Sequence, residues 1–160
     1  MDQFGGALLK GNPKRARPMD SKLPLHLVLR ARNSSMRRPS IFGKVNRTAY
    51  ETAEKYGVKI FSFANVGNHL HLVIRVTNLK LWAPFIRELT GRIAMCANPK
   101  AESGGFWLYR PYTRIIRSWK KAFRSLLDYV FLNRLEADGH INRAQIRTFA
   151  QLKLIFGNSC

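Results

Sequence analysis

The sequence has few acidic side chains. Only 9 Asp and Glu residues stand against 28 Lys and Arg residues in a chain of 160, and the formal net charge is +19. A surface this basic repels itself, and such a charge balance indicates a polyanionic partner. Nucleic acid meets this requirement best, and an anionic membrane surface is the second candidate.

Cysteines and long apolar runs are also scarce. The two cysteines, Cys96 and Cys160, do not have a zinc-type spacing, and Cys96 falls in a predicted helix while Cys160 is the last residue. We therefore expect reduced thiols in a cytoplasmic protein. No segment approaches the roughly 20 apolar residues that a membrane span needs, and the N-terminus lacks the charge order of a secretory signal, so we expect no membrane partner.

The length of the chain and its hydrophobic content of 46% predict one globular domain. Residues 1–23 are predicted to form a basic flexible arm, because the segment KGNPKRARP mixes Lys and Arg with Gly and Pro. Residues 24–140 have the regular apolar pattern of a folded domain. Residues 141–160 are predicted to add a helical extension, with a helix over 143–156.

Apolar periodicity within the domain predicts the element order β-α-β-β-α-β-α. The predicted strands are 25–31, 58–66, 69–76 and part of 106–116, and the predicted helices are about 42–56, one that Asn78 caps, and about 118–135. The turn signal Gly67-Asn68 joins the second and third strands into a hairpin. This order predicts an α+β fold in which helices pack on an antiparallel sheet.

The third predicted strand carries two histidines in the segment NVGNHLHLVIRV (65–76). Side chains alternate between the faces of a strand, so one face, which we assign to the core, carries Leu70, Leu72, Ile74 and Val76. His69 and His71 share the other face, roughly 7 Å apart along the strand. Imidazoles at this separation can bind one metal ion, and a purely structural role is the alternative.

The last predicted helix carries a second pair of polar side chains. Tyr129 and Asn133 are four residues apart and therefore lie on one helix face. A tyrosine hydroxyl can act as a covalent nucleophile, and an asparagine oxygen is a suitable ligand for a hard divalent ion. The alternative is that Tyr129 is a packing residue and Asn133 a surface amide.

Taken together, these segments resemble the motifs of HUH endonucleases. GNHLHLVIRV (67–76) is similar to their His-hydrophobe-His strand, and DYVFLN (128–133) looks like their tyrosine helix. With FWLYRPYTRII (106–116) between them, the order more narrowly resembles REP-associated tyrosine transposases and related single-tyrosine transposases. The resemblance spans roughly residues 24–140.

Two positions depart from that pattern. Gly67 stands where these transposases usually have Pro, in a turn that tolerates the change. Arg134 stands where Pro usually follows Asn, so we expect the helix to continue past Asn133. Neither departure removes a chemical group from the motif.

The resemblance implies a ferredoxin-like HUH domain over 24–140, with a sheet of four or five strands. It implies that His69 and His71 bind one Mg²⁺ or Mn²⁺ ion, and that Asn133 is a third ligand or orients the metal's water. Tyr129 would attack a phosphodiester of single-stranded DNA, often beside a hairpin, and form a 5′-phosphotyrosine linkage with a free 3′-OH. The protein would thus be a metal-dependent transposase, either a monomer or a homodimer.

Basic residues are then candidate contacts to DNA phosphates. They lie in the N-terminal arm, in RARNSSMRR (30–38), and around the start of the last helix: Lys14, Arg15, Arg17, Arg30, Arg37, Arg38, Arg114, Arg117, Lys120, Lys121 and Arg124. Trp107, Tyr109 and Tyr112 are candidates for stacking on unpaired bases, with core packing as the alternative for at least one. Tyr109 and Tyr112 lack an amide one helical turn away, so Tyr129 is the preferred nucleophile.

Three other functions are open. A relative that grips hairpin DNA or RNA without cutting has the same charge and motifs. A plasmid-nicking enzyme usually brings a helicase domain or a third clustered histidine, and neither His26 nor His140 completes an evident triad in the sequence. We expect His26 to be structural, with lining of the site as the alternative. A role as a structural RNA-binding protein would account for the positive charge, but the His and Tyr motifs would then be coincidental.

Overall fold

The structure is a computed structural model that describes residues 2–8, 16–98, 105–118, 120–142, 144–146, 148 and 150–152. Its strands are β1 (Gln3–Phe4), β2 (Leu25–Arg30), β3 (Val58–Asn65), β4 (His69–Val76) and β5 (Tyr112–Ile115). Its helices are α1 (Pro39–Lys55), α2 (Trp82–Ala97) and α3 (Lys121–Ala137), and short 3₁₀ turns connect several elements. Within these ranges no helix has the length and apolar character to cross a membrane.

The five strands form one antiparallel sheet in the order β1-β5-β2-β4-β3. Without the short edge strand β1, the remaining elements follow the chain order β-α-β-β-α-β with β2 and β4 at the centre of the sheet. This is the ferredoxin-like arrangement, and α3 is an addition at its end. The predicted α+β fold is confirmed.

The main core lies between one face of the sheet and helices α1 and α2. Four side chains of β4 are buried there beside Val45 of α1 and Phe85 of α2, namely Leu70, Leu72, Ile74 and Val76. Each large side chain that is fully buried in this layer contributes roughly 1.5–3 kcal/mol to folding. The predicted core face of the His strand is therefore confirmed.

Helix α3 packs on the opposite face of the sheet, over β3 and β4. Its side chain Val130 is buried against Val73 of β4 and Ala64 of β3, and Phe123 and Leu126 extend the same contact. The half of that face formed by β2 and β5 faces a cleft. The sheet therefore has one face covered by two helices and one face covered in part.

The first residues of the chain differ from the predicted flexible arm. Gln3 and Phe4 pair with β5, and the Asp2 carboxylate accepts hydrogen bonds from the Arg117 guanidinium at 2.6 and 2.9 Å. Arg17 lies over the Phe4 ring at 4.5 Å and donates to the Thr113 hydroxyl at 2.6 Å. Backbone pairing with the free edge of β5 and these contacts hold residues 2–8 and Arg17 against the sheet.

Several element boundaries also differ from the prediction. Helix α1 begins at Pro39, because a proline at the first helical position lacks only an N–H that would be unpaired there. Asn78 caps a 3₁₀ turn at Lys80 rather than the start of α2. Helix α3 begins at Lys121 and, as expected from Arg134, continues past Asn133 to Ala137. Half of the predicted helix over 143–156 lies outside the described residues.

Candidate active site

The hairpin between β3 and β4 positions the two histidines. Gly67 has φ 97°, a left-handed conformation that suits glycine and that a proline ring cannot adopt. The amide of Gly67 donates to Oδ1 of Asn65 at 3.1 Å, and the amide of Val66 donates to the carbonyl of His69 at 3.1 Å. This turn differs from a Pro-containing one, and it sets the register that turns His69 and His71 toward the α3 face.

The two imidazoles lie side by side on that face. Their ring centroids are 4.7 Å apart, and His71 is only 4% exposed while His69 is half-buried. Nδ1 of His69 is hydrogen-bonded to Oδ1 of Asn68 at 2.5 Å. Nδ1 of His71 is hydrogen-bonded to Nε2 of His26 at 3.1 Å. In each ring the nitrogen that is left for another partner is Nε2.

All three rings are held in the neutral form. Burial, followed by the positive charge of Arg114, lowers the pKa of His26 to about 4. Burial, followed by the neighbouring rings of His26 and His69, lowers the pKa of His71 to about 3. Burial and the charge of Arg30 also lower the pKa of His69. Neutral imidazole at pH 7 is the form that can donate a lone pair to a metal ion.

Helix α3 brings Tyr129 to the histidines within the same chain. The Tyr129 ring is perpendicular to the His71 ring with centroids 5.5 Å apart, and it lies 6.3 Å from the His26 ring. Tyr129 is 41% exposed, whereas the next residue, Val130, is buried against the sheet. Packing on one side of α3 therefore holds a tyrosine beside the histidines and open to solvent.

Asn133 lies one turn beyond Tyr129 on α3, as its spacing predicts. Its Nδ2 donates a hydrogen bond to the carbonyl of Tyr129 at 2.8 Å. This hydrogen bond runs to its own helix rather than to His69 or His71. The side-chain oxygen Oδ1 is the atom that could serve as a ligand.

The donor atoms at this site fit a divalent ion. Nε2 of His71 is buried without a hydrogen-bond partner among the described residues. A cation bound by Nε2 of His69 and His71 would satisfy that atom, and imidazoles with a hydrogen-bonded Nδ1 are the usual form of histidine ligands. In the part of the chain that the structure describes, three or more His, Cys, Asp or Glu side chains do not form a metal-binding cluster. Further ligands would therefore be oxygens of Asn133, water or substrate.

Two cavities flank the site on the half of the sheet formed by β2 and β5. A cleft of about 400 Å³ lies between that half and α3, and His26, Tyr112, Arg114 and Tyr129 line it. A second cavity of about 260 Å³ is lined by Tyr112 on its other side. Its walls also include Arg30, Tyr109, Arg110 and residues 6–8 of the N-terminal segment. Aromatic and guanidinium groups thus continue from Tyr129 along the open part of the sheet.

The predicted DNA-contacting residues fall into three groups. Arg30 and Arg114 line the two cavities, and Arg38, Lys120, Lys121 and Arg124 are exposed. Arg17, Arg37 and Arg117 form contacts within the chain: Arg17 with Thr113, Arg37 with Asp138 at 2.9 Å and with the carbonyl of Asn65, and Arg117 with Asp2. Lys14 and Arg15 lie outside the described residues.

The aromatic residues proposed for base stacking also separate. Trp107 packs against the core, and its Nε1 donates to the carbonyl of Thr90 at 3.1 Å. Tyr109 and Tyr112 line the cavities instead. Of the three aromatic residues, Trp107 is therefore the one that packs in the core instead of being available for stacking on bases.

Two further residues contact the histidines, and one of them, His26, was expected to be structural, with lining of the site as the alternative. His26 of β2 is bonded to His71, and Asn68 is bonded to His69. The alternation of β2 already puts His26 on the face opposite Leu25 and Leu27. That signal gives the face of the sheet on which His26 lies, whereas its contact with His71 follows from the register between β2 and β4.

Comparisons with known proteins support the fold. No protein-family model matches the chain, and no curated protein matches it. The chain is similar to a solved structure of a REP-associated tyrosine transposase bound to a REP hairpin, with a TM-score of 0.62, 16% identity, and coverage of 81% of this chain and 76% of that chain. It is also similar to a candidate transposase from Deinococcus radiodurans R1, with a TM-score of 0.48, 15% identity, and coverage of 76% and 98%. The first likeness shows that this chain and a tyrosine transposase share a fold.

Proposed function

We propose that the protein is a metal-dependent transposase of the single-tyrosine HUH type that cuts and rejoins single-stranded DNA. The observation that carries the proposal is the contact of the Tyr129 ring with His71, at 5.5 Å between centroids, beside the paired ring of His69. A half-exposed hydroxyl-bearing side chain next to two neutral imidazoles supplies a nucleophile and two metal ligands at one place. Packing and hydrogen bonding do not require this combination of groups.

The reaction follows from the chemistry of the tyrosine. The Tyr129 hydroxyl oxygen attacks the phosphorus of a phosphodiester and gives up its proton to solvent, and a new bond forms between oxygen and phosphorus. The bond from phosphorus to the 3′ oxygen breaks, and that oxygen leaves with the electron pair and takes up a proton. The products are a 5′-phosphotyrosine linkage and a free 3′-OH. Attack by a 3′-OH on the linkage reverses the step, so strand transfer needs no external energy source.

His69 and His71 would hold one Mg²⁺ or Mn²⁺ ion through Nε2, with Asn133 as a candidate oxygen ligand. When bound, the ion neutralises charge on the phosphate oxygens and polarises the phosphorus toward attack. Burial of His71 and the hydrogen bonds at both Nδ1 atoms keep the rings oriented.

The cleft beside Tyr129 is the proposed path of the DNA strand. Arg114 and Arg30 carry the charge that phosphates require, and Tyr112 and Tyr109 present aromatic surfaces on which unpaired bases can stack. The net charge of +19 supports a polyanionic substrate. The structural neighbour that is bound to a REP hairpin supports a substrate with a hairpin beside the cut.

A covalent-adduct assay tests the proposal. The protein would be incubated with Mn²⁺ and single-stranded oligonucleotides that cover the inverted repeats of its own genome, and adducts would be separated on denaturing gels. We expect the wild type to form an adduct and Tyr129→Phe to form none, because this change removes only the attacking oxygen. His71→Ala should lower adduct formation by about 10²-fold or more, as expected when electrostatic stabilisation of the reacting phosphate is lost.

Tyr109→Phe and Tyr112→Phe are the matched controls, since each removes a phenolic oxygen from the same cleft system. Both should retain the adduct. An adduct that persists in Tyr129→Phe would show that Tyr129 is not the nucleophile. If the wild type binds hairpin DNA tightly and forms no adduct with any oligonucleotide, the relative that binds without cutting is the correct function.

A further inference from the structure

A third histidine contacts the proposed metal ligands from the neighbouring strand. His26 lies on β2, where its backbone is paired with Val73 of β4, two residues from His71. Its Nε2 is 3.1 Å from Nδ1 of His71, and the planes of the two rings are 18° apart with centroids 5.4 Å apart, so the rings meet edge to edge. Both side chains are buried, at 8% and 4% exposure. This is a hydrogen bond between two neutral imidazoles, so one ring donates and the other accepts.

The direction of this hydrogen bond decides what His71 can bind. If His26 donates, Nδ1 of His71 is the acceptor and its Nε2 carries the proton. That N–H would be buried without an acceptor, because Nε2 of His71 has no hydrogen-bond partner in the described ranges. If His71 donates from Nδ1, its Nε2 instead carries a lone pair.

The neighbouring ring of His69 supports donation from Nδ1 of His71 to His26. Its Nδ1 is bonded to Oδ1 of Asn68, and an amide oxygen can only accept, so the proton of His69 is on Nδ1 and its lone pair is on Nε2. An N–H at Nε2 of His71 would have had that lone pair as an acceptor close by, with ring centroids 4.7 Å apart. No such hydrogen bond forms, and His26 lines a cleft from which water can reach its own Nδ1–H.

We propose that His26 is a positioning residue that accepts the Nδ1–H of His71 and so holds the Nε2 lone pair of His71 toward the metal position beside His69. The inference rests on the proposed function, in which these two rings are the ligands. Strand β2 would thus orient a metal ligand of the site, although β2 itself carries neither a proposed ligand nor the nucleophile. His26 acts only through His71, which it orients as a ligand of the metal ion that assists attack by Tyr129.

The tautomer of His71 can be measured without metal or DNA. Long-range ¹H–¹⁵N correlation spectra of the metal-free protein in chelator at pH 7.5 distinguish a protonated Nδ1 from a protonated Nε2. The chain has only four histidines, so single variants assign the signals. We expect wild-type His71 to carry its proton on Nδ1. His26→Leu should shift the population toward protonated Nε2, and His26→Gln, which keeps an acceptor oxygen on a side chain of similar reach, should restore the wild-type tautomer.

Mn²⁺ affinity, measured by calorimetry, gives the second readout. His26→Leu should weaken binding about 10- to 100-fold, the range for loss of a hydrogen-bond partner of a histidine ligand, and His26→Gln should stay within about 3-fold of wild type. His140→Gln serves as the exposed control and should match wild type in both readouts.

Protonated Nε2 on His71 in the wild type would overturn the proposal, as would a His26→Leu protein with unchanged tautomer and Mn²⁺ affinity. These outcomes are separate from failure of the proposed function. A protein with the expected tautomers and Mn²⁺ affinities that forms no DNA adduct would retain the role of His26 and refute the nuclease.

Discussion

Substitution by alanine should change the free energy of unfolding in opposite directions at Gly5 and at Gly43, because the two glycines have different surroundings. Gly5 has φ 89°, and a Cβ there would overlap the backbone oxygen of Pro111. Gly43 lies on the exposed side of α1, and a Cβ would meet no atom within 4 Å. A glycine in a helix interior costs stability relative to alanine, whereas a glycine at positive φ is needed.

We therefore predict that Gly43→Ala raises the free energy of unfolding by about 0.5–1 kcal/mol and that Gly5→Ala lowers it. Chemical denaturation followed by circular dichroism measures both. Gly91→Ala, at an open and exposed position of α2, is the matched control for Gly43→Ala and should act in the same direction. Equal loss of stability at Gly43 and Gly5 would contradict the assigned surroundings.

Some residues of the candidate site could be predicted from the sequence, and others could not. The alternation of β4 was enough to separate His69 and His71 from the aliphatic core face. The role of His26 depends on the register between β2 and β4, which are separated by 38 residues of chain between Arg30 and His69. Long-range strand register is set by packing across the whole sheet and leaves no local mark in the sequence.

At the level of elements, strand β1 covers the free edge of β5 and brings residues 6–8 to a cavity wall. The pair of Asp2 and Arg117 fastens its start, and the amide of Ile115 donates to the carbonyl of Asp2 at 2.9 Å. The composition of residues 1–23 indicated a flexible segment. The edge of β5, which provides the pairing partner, is visible only once the sheet has formed.

The attachment of β1 should depend on pH. The hydrogen bond from Arg117 lowers the pKa of Asp2 below its ordinary value of 3.8. A carboxyl group with a lowered folded-state pKa stabilises the fold above its ordinary pKa, and this contribution is lost as pH falls through the lowered value. We expect NMR signals of Ile115 and Thr113 to show pairing with β1 at pH 5, and this pairing to weaken as the pH falls below the ordinary value of 3.8 toward the lowered one.

Asp2→Asn provides the control, because it removes the charge at every pH. Its Ile115 signal at pH 5 should already resemble that of the wild type at low pH, while the amides that join β2 to β4 stay unchanged in both proteins. A wild-type Ile115 signal that follows the β2–β4 amides through the whole range would refute a specific role for Asp2.

At the level of the whole molecule, positive charge is present on both sides of the sheet, and the proposed function assigns DNA to one of them. Lys120, Lys121 and Arg124 are exposed at the start of α3, on the side that carries Tyr129. Three other exposed cations, Lys44, Arg47 and Arg87, lie on α1 and α2, the helices of the opposite layer. The net charge could be counted from the sequence, but its division between the two faces depends on the fold.

Neutralising the two groups should therefore affect DNA binding differently. Each phosphate contact to a single strand contributes about 0.7 to the slope of log affinity against log salt, so the triple change of Lys120, Lys121 and Arg124 to Gln should reduce the slope by about 2. The triple change of Lys44, Arg47 and Arg87 to Gln should leave it close to wild type. Fluorescence anisotropy with a labelled hairpin oligonucleotide from 50 to 300 mM salt, roughly the range over which such contacts are screened, measures both. Equal slopes of log affinity against log salt for the two variants would contradict binding of DNA on the α3 side of the sheet.

The partial cover of α3 over the sheet has a consequence for how a strand could reach Tyr129. Because α3 lies over β3 and β4, the cleft along β2 and β5 is a groove with an open side rather than a tunnel. A polymer can be laid into a groove sideways at any point along its length, whereas a tunnel must be threaded from an end. Under the proposed function, a strand without free ends, such as a circle or an internal loop of a long replication intermediate, has the same access to the tyrosine as a short linear fragment.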